Sequence, residues 1–340
     1  MAFWKRIAAG LVAVALASAC LAPRARAETS EVRILQLYGL IFLPVYVMVD
    51  QKLIEKHAKA AGLGDIKVTL TRASSGAAAA DYILSGSTDI AVSGNTTFLT
   101  IWDKTLRTNN KVRGMMAVCD TPAYLITTDP RIKSLRDFTD KDRIAVTAVK
   151  ISLHALTLQM AAAKEFGWDE RFKLDPLTVS MSNPDGLAAL LSGSNEVKSQ
   201  VTVLPYNFYA LASGKARLLM TSYDVLGGRS TGIVAYTTEK WKADNPKTYA
   251  VVAAALQEAI DLINKDKELA TDIYMRAEQP RAQRAEIRKM LDSEDDVAFT
   301  ATPHKMQLLA DFMHRVGTLR NNPASWKDMF FETVYGLDGS

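Results

Sequence analysis

Apolar and polar positions alternate over residues 68–71: Val68 and Leu70 are apolar, Thr69 and Thr71 polar, the period of a strand. Ser74-Ser75-Gly76 then supplies a turn and a helix start, since a serine oxygen accepts the orphan N–H groups of a first helical turn. Residues 77–84 are strong helix formers, and Gly86 suits the stop. Asp89-Ile90-Ala91-Val92 reads as a short buried strand, and Ser93-Gly94-Asn95-Thr96 as a second polar loop before a helix over 97–106. In a parallel sheet both loops leave the carboxyl ends of strands, where α/β proteins bind ligands. Hydroxyls and helix-start N–H groups at such places suit an anion. No nucleophile–base pair accompanies them.

The same reading extends along the chain. A strand over 31–37 leads to Pro44, well placed at the first turn of a helix running to about 59. Strands at 66–72 and 113–119 complete a β-α-β-α-β-α-β order, which predicts a doubly wound, mostly parallel sheet. A second α/β set begins at 123. It has an extended stretch at 123–128, a capped turn at Ser134, a strand at 143–147 and a helix at 152–166 stopped by Gly167. Strands at 177–181, 200–204 and 216–221 alternate with helices at 184–191 and 206–212. The paired glycines of 223–230 predict a return hinge, followed by a strand at 231–237. The remainder reads as helices at 248–264, 268–276, 281–291, 304–316 and 325–331. The expected division is 1–27, 28–122 for the first part of lobe one, 123–226 for lobe two, and 227–340 for lobe one's completion and C-terminal helices.

Residues 1–27 read as a secretory signal, with Lys5 and Arg6 before an apolar stretch and Ala25-Arg26-Ala27 as the cleavage pattern. An uncleaved anchor and lipidation at Cys20 are the alternatives. The signal changes the charge picture. The chain has 41 Lys+Arg against 37 Asp+Glu, and Lys5, Arg6, Arg24 and Arg26 account for the whole excess. A neutral mature protein has no electrostatic basis for nucleic-acid binding. Cleavage also leaves Cys119 as a single thiol, within an apolar run that predicts a buried core residue.

Metal and cofactor motifs are missing. His57, His154, His304 and His314 form no ligand spacing, with the last two far apart on one predicted helix. Glu294-Asp295-Asp296 reads as a solvated turn, and no phosphate-binding glycine loop occurs. Candidate ligand contacts in lobe one are Tyr38, Gly39, Leu40, Ser74, Ser75, Asn95 and Thr96. In lobe two they are Tyr124, Ser152, His154, Asn183 and Tyr206. Plain capping competes for the hydroxyl residues and core packing for the tyrosines.

The ordered set Gly39–Pro44, Ser74-Ser75-Gly76, Gly86-Ser87-Thr88-Asp89-Ile90-Ala91, Ile132–Phe138 leading to Arg143-Ile144-Ala145-Val146, Pro184-Asp185-Gly186 and Ser192-Gly193 resembles the periplasmic substrate-binding proteins of ABC importers. The match is to their nitrate/taurine/sulfonate branch, which includes binders of thiamine-type pyrimidines. It covers essentially the whole mature chain, and it departs where relatives carry Pro-Pro-aromatic and this chain has Leu204-Pro205-Tyr206. The resemblance implies an α/β fold of two doubly wound lobes joined by two crossings (periplasmic binding protein-like, type II), with a helical C-terminal tail packed on lobe one. It further implies an exported, cofactor-free protein that captures a small organic anion (sulfonate, taurine or aromatic acid-like) between the lobes and docks on a membrane permease. A ligand sensor contacting a receptor is the alternative. A pyrimidine-synthase-like enzyme fits worse, because that chemistry uses a cysteine-rich segment and no export signal.

Overall fold

The computed structural model describes residues 28–73, 75–193, 196–280 and 282–340. The signal-like stretch 1–27, with Cys20, and the candidate Ser74 lie outside the described residues.

The first lobe begins with β1 (Glu31–Gln36), whose Val32 and Ile34 are fully buried. Gly39 turns the chain out of β1 at φ 121°, a backbone conformation side-chain-bearing residues rarely adopt. The turn Leu40–Phe42 leads into α1 (Leu43–Asp50), with Pro44 in its first turn. The helix expected to run on to 59 breaks at Lys52, which takes a left-handed φ of 51°, and restarts as α2 (Leu53–Ala60). The polar run Asp50-Gln51-Lys52 has no apolar face to hold a continuous helix on the core. The unit continues as β2 (Lys67–Arg72), α3 (Gly76–Leu84), β3 (Ile90–Gly94), α4 (Asn95–Thr105) and β4 (Val112–Asp120).

Residues 121–123 cross to a second sheet, built from β5 (Tyr124–Thr127), β6 (Ile144–Val146), α5 (Leu153–Phe166), β7 (Thr178–Ser180), α6 (Asn183–Ser192), β8 (Ser199–Thr202), α7 (Tyr206–Ala212) and β9 (Arg217–Thr221). The chain returns through residues 222–230. The expected hinge there starts as a helical turn, α8 (Ser222–Leu226), capped by Thr221 and stopped by Gly227. Then follow β10 (Thr231–Thr238), α9 (Glu239–Asp244), α10 (Pro246–Lys265), α11 (Lys267–Glu278), α12 (Arg284–Asp292), β11 (Ala298–Phe299) and α13 (Met306–Arg315). The segment expected as a helix over 325–331 is a shorter 3-10 turn, Trp326–Met329.

The sheet orders are β11-β4-β10-β3-β1-β2 and β7-β6-β8-β5-β9. β1 pairs in parallel with β2 and β3, whereas β10 runs antiparallel between β3 and β4. The reason is the return: β10 enters from the crossing, at the end where β3 and β4 finish. β5, entering the other sheet from the first crossing, is likewise antiparallel to β8 and β9. Both inserted strands are buried along their whole length. Helices α10 and α11 pack on α1 and α2, so the C-terminal region closes the first lobe's core.

Cys119 is fully buried within β4, its thiol donating to the Ile41 carbonyl at 3.5 Å, and burial pushes its pKa up. Among the described residues no helix is long and apolar enough to cross a membrane.

Candidate functional site

Loops at the carboxyl ends of the parallel strands in both sheets face one cavity of about 1970 Å³. The starts of α3 and α4 reach it from the first lobe, and those of α5, α6 and α7 from the second. Each helix start carries unpaired N–H groups and the positive end of the helix dipole. The strands aim them here because each strand-to-helix turn leaves its sheet on the same side.

Of the residues singled out in the sequence, Tyr38, Ser75, Thr96, Ser152, His154, Asn183 and Tyr206 line this cavity. Gly39, Leu40, Asn95 and Tyr124 lie outside its wall. Leu40 is fully buried in the core turn after Gly39. Asn95 spends its side chain internally, donating to the Thr231 carbonyl at 2.7 Å and accepting from Thr96 N–H at 2.6 Å. Tyr124 is buried on β5 and donates its hydroxyl to Asp296. That contact also corrects the picture of 294–296 as a purely solvated turn, to which Arg229 adds ion pairs at Glu294 and Asp295.

Hydroxyl bookkeeping separates the two lobes. Ser152 caps α5, accepting from Ala155 N–H at 3.2 Å, and its own hydrogen goes to the Ala148 carbonyl at 2.6 Å. Ser182 is spent in the same way on Asp185. Ser180 donates to the Thr147 carbonyl at 3.3 Å, so the described serines lining the cavity from the second lobe have no hydroxyl hydrogen left for a ligand. In the first lobe Ser75 accepts from Ala78 N–H at 3.2 Å and donates to no group among the described residues. The hydroxyls of Thr96 and Thr97 make no hydrogen bond among the described residues either, and both residues line the cavity. The starts of α3 and α4 nearly touch: a Cβ on Gly76 would run into the Thr97 side chain.

His154 sits in the first turn of α5, 4% exposed, with Nδ1 at 3.4 Å from the Thr147 hydroxyl. Burial lowers its pKa to about 4, so it faces the cavity as a neutral imidazole. Among the described residues the wall's charges are Asp81, Asp175, Asp185 and Glu278 against Lys104 and Lys150, with no arginine. Asp175 accepts from Gln159 at 3.0 and 3.1 Å, and burial raises its pKa.

Sequence reading missed Thr97, Lys104, Lys150 and Glu278. Thr97 adjoins the loop already singled out. Glu278 ends α11 in the tail, far along the chain from Tyr38, and nothing local marks it. Among the described residues no group of His, Cys, Asp and Glu has the makings of a metal site. His304 precedes α13 instead of sharing it with His314; its Nδ1 is 2.6 Å from Asp120 Oδ2.

Residues 26–276 match the model of the NMT1-like family. No curated protein matches the chain. Among solved structures, the periplasmic aliphatic sulphonate binding protein SsuA of Escherichia coli is 17% identical, with 90% of this chain and 93% of that one covered and a TM-score of 0.69. The periplasmic nitrate-binding protein NrtA of Synechocystis PCC 6803 is 16% identical, covering 89% and 84%, with a TM-score of 0.68. The alkanesulfonate-binding protein SsuA of Xanthomonas axonopodis pv. citri, bound to MOPS, is 16% identical, covering 87% and 96%, with a TM-score of 0.66. At these identities the likeness is one of fold, and the fold is the periplasmic binding protein-like one the sequence led us to expect.

Proposed function

The chain belongs to the NMT1-like family, and on that premise we propose that it is the exported, periplasmic solute-binding component of an ABC importer. In this reading it takes a small organic anion, of the sulfonate, taurine or aromatic-acid kind, into the cavity between its lobes. The lobes, spanning 28–122 with 227–340 and 123–226, close about the two crossings. Ligand contacts to both sides favour the closed form, which docks on the permease. It is a binding protein and carries out no reaction on its cargo.

The observation that supports this most is the pair of abutting helix starts with unspent donors. Ser75, Thr96 and Thr97 bring free hydroxyl hydrogens to the positive ends of α3 and α4, where an anionic headgroup is held without a cation. Neutral His154 and the N–H groups of α5, α6 and α7 face it from the other lobe. Sulfonate and nitrate binding by the fold neighbours agrees with such a headgroup.

A thermal-shift panel of alkanesulfonates, taurine, nitrate and aromatic carboxylates tests the reading. A binder at a thousand times its Kd adds about 4 kcal/mol and raises Tm visibly. Thr97→Val removes one donor at constant shape; calorimetric titration should show affinity for a binding anion falling about tenfold or more. Unchanged affinity removes Thr97 from the site, and a panel with no hit counts against the anion.

A further inference from the structure

An anion site alone does not account for the carboxylates of the wall. Glu278, the last residue of α11, lines the cavity together with Tyr38 from the turn after β1 and Tyr206 from the start of α7. Three distant chain segments, two from one lobe and one from the other, meet at this corner. Glu278 Oε1 accepts the Tyr46 hydroxyl and, at 3.3 Å, the Gly39 N–H. Its second oxygen takes no hydrogen bond, and the carboxylate makes no ion pair, among the described residues. Burial and the Glu278 charge both raise the Tyr206 pKa, which places the carboxylate within electrostatic reach of that ring's hydroxyl.

The chain's own Arg72 shows what this corner attracts. Its guanidinium lies 5.5 Å from the Tyr38 ring centre and 5.2 Å from that of Tyr46. It donates to the Ala277 carbonyl at 2.9 Å and stays beyond ion-pair distance of Glu278. Tyrosine faces and a carboxylate are what a compact cation seeks. The remaining charges agree: with His154 neutral, four acidic groups face two lysines among the described residues around the cavity. A plain anion gains nothing from that surplus, whereas a ligand with a basic nitrogen does.

We infer that the ligand is a zwitterion, its acidic group at the starts of α3 and α4 and its protonated nitrogen at Glu278, flanked by Tyr38 and Tyr206. This rests on the anion-binding reading above and narrows it.

Isosteric pairs in which an ammonium replaces a methyl group test it by calorimetric titration. The probes are taurine with 1-propanesulfonate, 3-aminopropanesulfonate with 1-butanesulfonate, and 4-(aminomethyl)benzenesulfonate with 4-ethylbenzenesulfonate. The amine of a binding pair should bind about tenfold or more tightly, the effect of a charge-assisted hydrogen bond. Glu278→Gln, which retains an acceptor for Tyr46 and Gly39, should erase that preference and leave the alkyl partner's affinity in place. An alkyl member that binds as well as its amine, or a preference that survives Glu278→Gln, overturns the zwitterion and leaves anion binding standing. A folded protein that binds no member overturns both.

Discussion

At the scale of single residues, two histidines titrate in opposite directions. Buried His154 has its pKa lowered to about 4 by burial, against about 6.5 when unfolded. The unfolded chain therefore takes up the proton first, and stability falls as pH drops from about 6.5 to 4, by about 3 kcal/mol in all. His304 goes the other way. Its hydrogen bond to buried Asp120 raises its pKa, with Asp338 adding to the effect and Arg229 opposing it. Its contribution is complete below about 6.5 and is lost as pH rises through the folded value. The Tm of the wild type measured across pH 4–9 should thus peak between the two. His304→Gln should flatten the alkaline side alone, and an unchanged alkaline slope would place its cause elsewhere. Asp120 ends β4 just before the first crossing, and Thr231 starts β10 just after the second. The Thr231 hydroxyl donates to Asp120 at 3.2 Å and accepts from His304 N–H at 2.9 Å, so this proton sits where both crossings are tied down.

At the scale of elements, the site depends on how closely α3 and α4 begin. Gly76 has no side chain at the one place where a Cβ would strike Thr97. Gly76→Ala puts a better helix former in the first turn of α3, so a purely local view expects a protein no less stable. We expect the opposite at the site: Thr97 is pushed aside and titration shows anion affinity reduced about tenfold, with little change in Tm. Undiminished binding would mean that the two starts are not jointly used. Such elements were the legible part of the sequence. Ser75 and Ser152 declared their caps, Pro44 its helix start, and apolar runs, with alternation at 68–71, the strands. The unread part is what no short window contains. The antiparallel insertion of β10 depends on the return crossing, whereas the polar run Asp50-Gln51-Lys52 at the break was in view but is too short to mark an interruption by itself. The spent hydroxyl of Ser152 was invisible because its acceptor, the Ala148 carbonyl, is fixed by the loop's fold. Glu278 reaches the cavity only once the tail has packed back on lobe one.

At the scale of the molecule, the lobes are joined by more than their crossings. Trp168, just past α5 in the second lobe, has the Arg315 guanidinium 3.7 Å from its ring centre, Arg171 at 4.7 Å, and Phe312 edge-on at 5.8 Å. Arg315 and Phe312 belong to α13, and Val316–Thr318 immediately beyond it line the cavity. This clasp bridges the lobes beside the cavity, and under the clamp mechanism proposed above it would favour the closed arrangement. Trp168→Ala should increase the radius of gyration of the ligand-free protein in solution scattering and weaken ligand binding. Identical scattering curves would show the clasp to be indifferent to opening. The buried thiol of Cys119 bears on how such motion can be watched. It is sealed in the sheet and held protonated, so maleimide dyes pass it by. In the protein without residues 1–27, and so without Cys20, cysteines introduced at Leu84 on one lip and at exposed Ile151 on the other would be labelled alone, turning the aperture into a distance read by energy transfer on single molecules.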